Sequence, residues 1–290
     1  MADTNPTLRR RQLATQLREM RLGAGMTIDE VAQQLMVSTA KISRLETGQR
    51  GASLRDVRDL CNLYGTTDPT EVETLLTAAR EARQPGLRAE FADLGQDAVY
   101  LYFALESEVT SIVDFQTSHV PGLLQTDDYA RALIRGVLPH ITHDVLDNRV
   151  EVRMKRQQRL VGENPPRYWA VIDEALLHRR VGGVDVMRRQ LDHLIEMAEL
   201  PHVTIQMIPF DVGPYMGLNS AFVLLQNSDL KIVFLEGLTS VDYIEKQTEL
   251  QIYQEAVEHL RAVALDPQAS ITRIAELRDK YGIEGSDKKR

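Results

Sequence analysis

Apolar positions recur every three or four residues through the first 83 residues, the period of helices that bury one face. Leu13, Leu17, Met20 and Arg21 share one such stripe, and Gly23 and Gly25 stop it. Thr27 with Glu30 three residues on forms a capping box ahead of Ile28, Val31, Ala32 and Leu35. Ser38 caps a following helix. Ser53 caps another, with Leu54, Val57, Leu60, Cys61 and Tyr64 inward. "GTTDPT" ends it, and Asp68-Pro69 opens a fifth helix running to about Arg80. "REARQPGLRAE" then carries charge and Pro-Gly but no apolar face. It predicts a linker at 84–90 between an all-helical domain at 1–83 and a second domain at 91–282, with a disordered tail at 283–290.

Beyond the linker the period mixes. Residues 91–108, 127–137, 143–161, 184–199, 247–264 and 268–281 predict helices. "SIVDFQTSHV", "RYWAVID", "HVTIQMIPF", "AFVLLQ", "KIVFLEG" and "VDYIE" predict strands. The helix at 184–199 between two strands predicts a βαβ crossover. "AFVLLQNSDLKIVFLEG" predicts a hairpin with a polar turn at 227–229. The expected fold is an all-α N-terminal domain followed by a mixed α/β (α+β) C-terminal domain.

Composition narrows this picture. At 43% hydrophobic and 26% charged residues, the chain is of ordinary globular type. It has no apolar run near the ~20 residues a membrane span needs. No apolar stretch follows the basic residues of "MADTNPTLRRRQ", so no secretory signal is expected. The single cysteine, Cys61, excludes an intrachain disulfide and a cysteine-based metal site and fits a cytoplasmic setting. The net charge of −8 is uneven: residues 1–65 hold ten basic against seven acidic side chains. A basic head on an acidic body suits a chain whose head meets nucleic acid.

The helix within "VSTAKISRLETGQRG" shows how. At 100° per residue Ile42 and Leu45 face back onto the preceding helix. Ala40, Ser43, Arg44 and Thr47 lie on the other side, with Lys41 on the flank. Small residues let a helix enter a groove deeply, and the long cations then reach guanine edges or phosphates.

Residues 26–65, "MTIDEVAQQLMVSTAKISRLETGQRGASLRDVRDLCNLYG", resemble the lambda-repressor-like (Xre-type) helix-turn-helix family, over roughly residues 8–65 in all. The resemblance implies base contacts from Thr39, Ala40, Lys41 and Arg44, phosphate contacts from Ser43 and Arg50, and a structural pair between Glu46 and Arg18. Two positions depart from the family pattern. Met36 stands where the turn usually has glycine, and Thr39 stands where glutamine is common.

The second domain is poor in chemistry. His140 and His143 suit a surface helix cap better than a metal site, and Asp173-Glu174 suits a helix start better than acid-base work. "VGG" at 181–183 is too short to cradle a phosphate. Neither an enzyme activity, a metal nor a cofactor is expected. "HVPGLLQTDDYARAL", "VIDEALLHRRVGG", "QLDHLIEMAELPHVTIQMIPF" and the segment 232–265 resemble the C-terminal domain of actinobacterial Xre-type regulators. That resemblance implies transcription regulation, often with a small partner protein. Trp169 is expected in the core. The apolar-tipped loop 209–220, with Tyr215 and Met216, is the candidate ligand or partner loop. Leu250, Tyr253, Val257 and Leu260 form a closing amphipathic face that suits either core cover or a dimer contact. The reading is a DNA-binding transcriptional regulator. Its partners are double-stranded DNA, a second copy in a homodimer, and a small-molecule effector or partner protein. An antitoxin-like protein that neutralises a small partner is the alternative.

Overall fold

The computed structural model describes residues 6–48, 50–66, 68–82, 97–228, 230–238 and 240–287. The predicted linker at 84–90 lies outside them. The chain divides into two compact units, Met1–Ala104 and Leu105–Arg290. The division falls within α6 (Asp97–Glu108).

The first unit holds α1 (Pro6–Gly23), α2 (Ile28–Gln34), α3 (Thr39–Glu46), α4 (Leu54–Tyr64) and α5 (Pro69–Glu81). The basic stretch 9–11 lies within α1. Leu13 and Leu17 of α1, Val31 and Ala32 of α2, Ile42 and Leu45 of α3, Val57, Leu60 and Cys61 of α4, and Leu75 and Leu76 of α5 close one core. Each fully buried Leu, Ile or Val contributes about 1.5–3 kcal/mol relative to exposure, so the common stripe outweighs the caps as the source of stability.

The turns between these helices repeat one device. Met26 N donates to Arg21 O and Gly25 N to Leu22 O around Gly25 at φ 69°. Thr66 N donates to Cys61 O and Gly65 N to Asn62 O around Gly65 at φ 77°. Between α2 and α3, Val37 N donates to Ala32 O (2.9 Å) and Met36 N to Gln33 O (3.2 Å), the same crossed pair that closes a helix with a left-handed residue. Here that residue is Met36 at φ 52°. The Met36 side chain is 92% exposed, so it supplies no packing to offset the left-handed backbone. That conformation costs an L-residue roughly 1–2 kcal/mol, against the ~0.5–1 kcal/mol of extra unfolded-state freedom that glycine brings. Met36→Gly is therefore expected to stabilise the head by about 0.5–1 kcal/mol in thermal melts of the full chain. A lowered melting temperature would show that the Met36 side chain holds a contact its exposure does not indicate.

The second unit is built on one six-stranded mixed sheet of order β3-β2-β1-β4-β5-β6. Its strands are β1 (Ser111–Gln116), β2 (Arg167–Asp173), β3 (Val203–Ile208), β4 (Phe222–Gln226), β5 (Lys231–Glu236) and β6 (Val241–Ile244). β1, β2 and β3 pair parallel, while β4, β5 and β6 add antiparallel. The helices are α7 (Asp127–Val137), α8 (His143–Val161), α9 (Glu174–His178), α10 (Val184–Met197), α11 (Gln247–Val263) and α12 (Pro267–Asp287). As expected, α10 is the crossover from β2 to β3. The β4–β5 turn is closed by Asn227, whose backbone N donates to Leu230 O and whose side-chain Oδ1 accepts from Leu230 N.

α11 covers one sheet face. Leu250, Val257 and Leu260 are buried against Val113, Phe115, Phe222, Leu224 and Val233, and Tyr253 stacks edge-on at 5.1 Å from Phe222. The amphipathic face of the closing helices thus serves as core cover. The free edge of β3 is closed by the chain that follows: Leu265 N donates to Met207 O (2.9 Å), and Ser270 Oγ accepts from Met207 N (3.0 Å). α12 extends to Asp287, into the stretch expected as a tail, and residues 288–290 lie outside the described residues.

The "PGLLQT" stretch is a buried knot of backbone held by amides. Gln190 of α10, 0% exposed, accepts from Thr126 N (2.8 Å) and donates to Leu124 O (2.6 Å). Gln125, equally buried, donates to Val120 O (2.6 Å) and accepts from Arg153 Nη1 (2.6 Å). Gln157 donates to Gln125 O (2.6 Å) and Gly122 O (3.1 Å). Beyond the Leu124 N to Pro121 O bond (2.9 Å), the turn's backbone groups are met by Gln125 and by side chains from α8 and α10.

Candidate nucleic-acid interface

The caps predicted from sequence form. Thr27 Oγ1 accepts from Glu30 N (3.2 Å) while Glu30 Oε2 accepts from Thr27 N (2.7 Å). Ser38 Oγ accepts from Lys41 N (3.2 Å) at the start of α3. Ser53 and Asp56 exchange the same reciprocal pair at the start of α4, at 3.0 and 2.9 Å. These contacts fix where each helix begins and hence which way α3 turns its faces.

α3 buries Ile42, Leu45 and Glu46. Thr39, Ala40, Arg44 and Thr47 are exposed and Ser43 is half-buried, so the outward face is the one the helical period gives. Arg50 is exposed just beyond, its backbone N donating to Arg44 O (3.0 Å). Among the described residues the Arg44 guanidinium has no hydrogen-bond partner or ion pair. It is therefore free to make the five-donor contact to a base edge or phosphate for which arginine is suited.

Glu46 does not pair with Arg18, which is exposed. Its partner is Arg21: Arg21 Nε donates to Glu46 Oε1 (2.7 Å), Nη2 to Oε2 (3.0 Å), and Nη1 to Met26 O (2.7 Å). One buried guanidinium thereby ties α1, α3 and the α1–α2 turn together. The sequence carried the signal, because Arg21 lies on the apolar stripe with Leu13 and Leu17 whereas Arg18 does not.

Lys41 is not a free cation. Its Nζ lies 2.6 Å from Asp56 Oδ1, with the side chains 26% and 15% exposed. Partial burial pushes the Asp56 carboxyl upward, but the Lys41 ammonium and the Ser53 hydroxyl and amide outweigh that and hold it below the usual carboxylate range. Sequence reasoning missed Asp56, although "SLRD" is readable as a capping box.

In the second unit the candidate loop is anchored at one end. The Tyr215 hydroxyl donates to Asp173, and its ring packs on Phe115 at 6.2 Å, which leaves Met216 and Leu218 as the exposed tip. Asp173 caps α9 through Ala175 N (2.7 Å). Glu174 is buried at that helix start and paired with Arg273 (3.1 Å), so both acids are structural. His140 and His143 are exposed, and no group of three or more His, Cys, Asp or Glu placed to hold a metal occurs among the described residues. "VGG" is a close-packing turn. A Cβ on Gly182 (φ 70°) would meet Ala132 and Val186 at 3.0 Å, so only glycine lets α7 and α10 approach. Trp169 is only half-buried: Arg261 stacks on its ring at 3.9 Å, and its Nε1 donates to Gln206 Oε1 (2.8 Å). It lines a cavity of about 350 Å³ with Arg167, His202, Gln254 and Glu258.

A family model described as a helix-turn-helix domain matches residues 12–75. A second, described as a domain of unknown function (DUF5753), matches residues 99–276. No curated protein and no solved structure matches the chain. No helix among the described residues is long and apolar enough to cross a membrane.

Proposed function

We propose, from the premise that the chain belongs to the DUF5753 family and carries a helix-turn-helix domain before it, that it is a sequence-specific DNA-binding transcriptional regulator. Binding rather than bond-making is its work. The observation that carries this reading is the outward face of α3, where small residues surround Arg44, unpartnered among the described residues, while the inward face is locked by Ile42, Leu45 and Glu46. Thr39 and Ala40 open that face toward the bases, and Ser43 and Arg50 flank it toward phosphate. The Xre-type likeness of residues 26–65 supports the same placement.

One such helix spans only a few base pairs, and its phosphate contacts are not selective. We infer that the second unit holds two heads on half-sites about one helical turn apart, ~34 Å. A small-molecule effector or a partner protein would act through that unit.

The test is selection of bound duplexes from a random pool by the full chain, then footprinting and titration. A two-fold site with two protected half-sites is expected. Arg44→Ala should weaken binding by about 1–3 kcal/mol and relax preference at one base pair in each half-site. Enrichment of no sequence would sink the specific reading, and a single protected half-site would sink the dimer.

A further inference from the structure

We propose that Asp56 is a specificity-determining residue of the DNA interface, acting by holding Lys41. This rests on the DNA-binding reading above. Lys41 is the third residue of α3, at the end of the helix that leads into the groove. A lysine there would ordinarily swing on its four-carbon stem and seek phosphate on any duplex. Here its ammonium is fixed 2.6 Å from Asp56 Oδ1, and both side chains are mostly shielded from water.

The carboxylate is itself immobile. Its other oxygen, Oδ2, accepts from Ser53 N (2.9 Å) and Ser53 Oγ (2.7 Å), so the cap of α4 sets its position. The first turn of α4 adds the positive end of a helix dipole, which favours the ionised form. Lys41 therefore presents a paired, positioned ammonium rather than a mobile charge.

The consequence is for the sequence-independent part of binding. Each phosphate neutralised by a lysine releases counterion and steepens the dependence of log K on log salt by about 0.9. A lysine neutralised within the protein makes no such contribution. Asp56 thus subtracts one phosphate contact from every duplex, while Arg44 stays free to sort sequences. On the operator the seated α3 brings Lys41 to the groove as a positioned donor. Freeing it there gains a phosphate and loses that position.

The experiment compares full-length wild type with Asp56→Asn on the selected operator and on random duplex, over a range of salt. Asparagine keeps an oxygen for Ser53 N, and Asp56→Gln is a second neutral variant compatible with the capping box. Both are measured where melts show the head folded. On random duplex the slope is expected to steepen by about 0.9 for each bound head, about 1.8 for the dimer, with binding about eight-fold tighter per head at 0.1 M salt, the worth of one released counterion at each. The operator should gain less, so the ratio of operator to random affinity falls. Repeating the comparison in a Lys41→Met background should abolish the steepening, because no ammonium remains to be freed.

An unchanged slope would overturn the proposal. So would equal steepening in the Lys41→Met background, which would make Asp56 a general repulsive charge, or a ratio that does not fall. If wild type enriches no duplex at all, the DNA-binding reading fails instead.

Discussion

Arg21→Met is expected to destabilise the head by about 3–5 kcal/mol, the cost of removing one partner from a buried ion pair. Methionine fills much the same space, so the loss comes from charge rather than volume. Glu46, with its side chain 4% exposed, would be left without its two donors, and Met26 O without its own. Domains of this size have total stabilities of about 5–15 kcal/mol, so the loss is a large share of what holds the head. Calorimetry of the full chain should show one transition moving sharply down while the other stays. Arg18→Met is the control. Arg18 is exposed, and its replacement should stay within about 0.5 kcal/mol. If Arg18→Met were the costlier change, Glu46 would pair across α1 as the family likeness implies, and the pairing described above would be wrong.

Gln190→Leu is expected to cost the second unit about 2–6 kcal/mol. Leucine matches the volume and suits α10, so packing is nearly conserved. What disappears is a fully buried amide that satisfies Thr126 N and Leu124 O at once. Each orphaned buried group costs about 1–3 kcal/mol. Denaturant unfolding of the full chain, followed by the single tryptophan Trp169 in the same unit, measures the change. A loss under about 1 kcal/mol would mean that water enters and takes over both bonds, and that the turn at 121–126 is open to solvent.

Much of the head was legible before folding. The stripe Leu13, Leu17, Met20, the caps at Thr27, Ser38 and Ser53, and the outward face of Ala40, Ser43, Arg44 and Thr47 all follow from relations within four residues of one another. Helical geometry fixes such relations without reference to anything distant. The left-handed turn at Met36 was signalled only by the helix-turn-helix likeness, in which glycine usually stands at that position. In the second unit each predicted strand forms, and the crossover and the hairpin follow from the order of elements along the chain.

What sequence reasoning misplaced lies at longer range. Arg18 and Arg21 are about 60° apart around one helix axis, and the apolar stripe marks Arg21 as the inward one without saying which partner it meets. That it meets Glu46, 25 residues away, is decided by how α1 seats on α3. Lys41 looked free because its partner, Asp56, sits 15 residues on and turns toward it only once α4 docks. Tyr215 looked like a loop tip until Asp173, 42 residues away, took its hydroxyl. Trp169, expected in the core, packs against it but stays half-buried, because Arg261 and a cavity rather than further core lie over its ring.

Periodicity, caps and turns were set by the sequence alone because each is a contest among neighbours on one stretch of backbone. The sheet order β3-β2-β1-β4-β5-β6, the partner of Glu46 and the restraint on Lys41 were decided only in the tertiary structure. Those depend on which distant groups desolvate together. A charge taken out of water accepts whichever partner the packing brings within about 3 Å, a choice that no local pattern encodes.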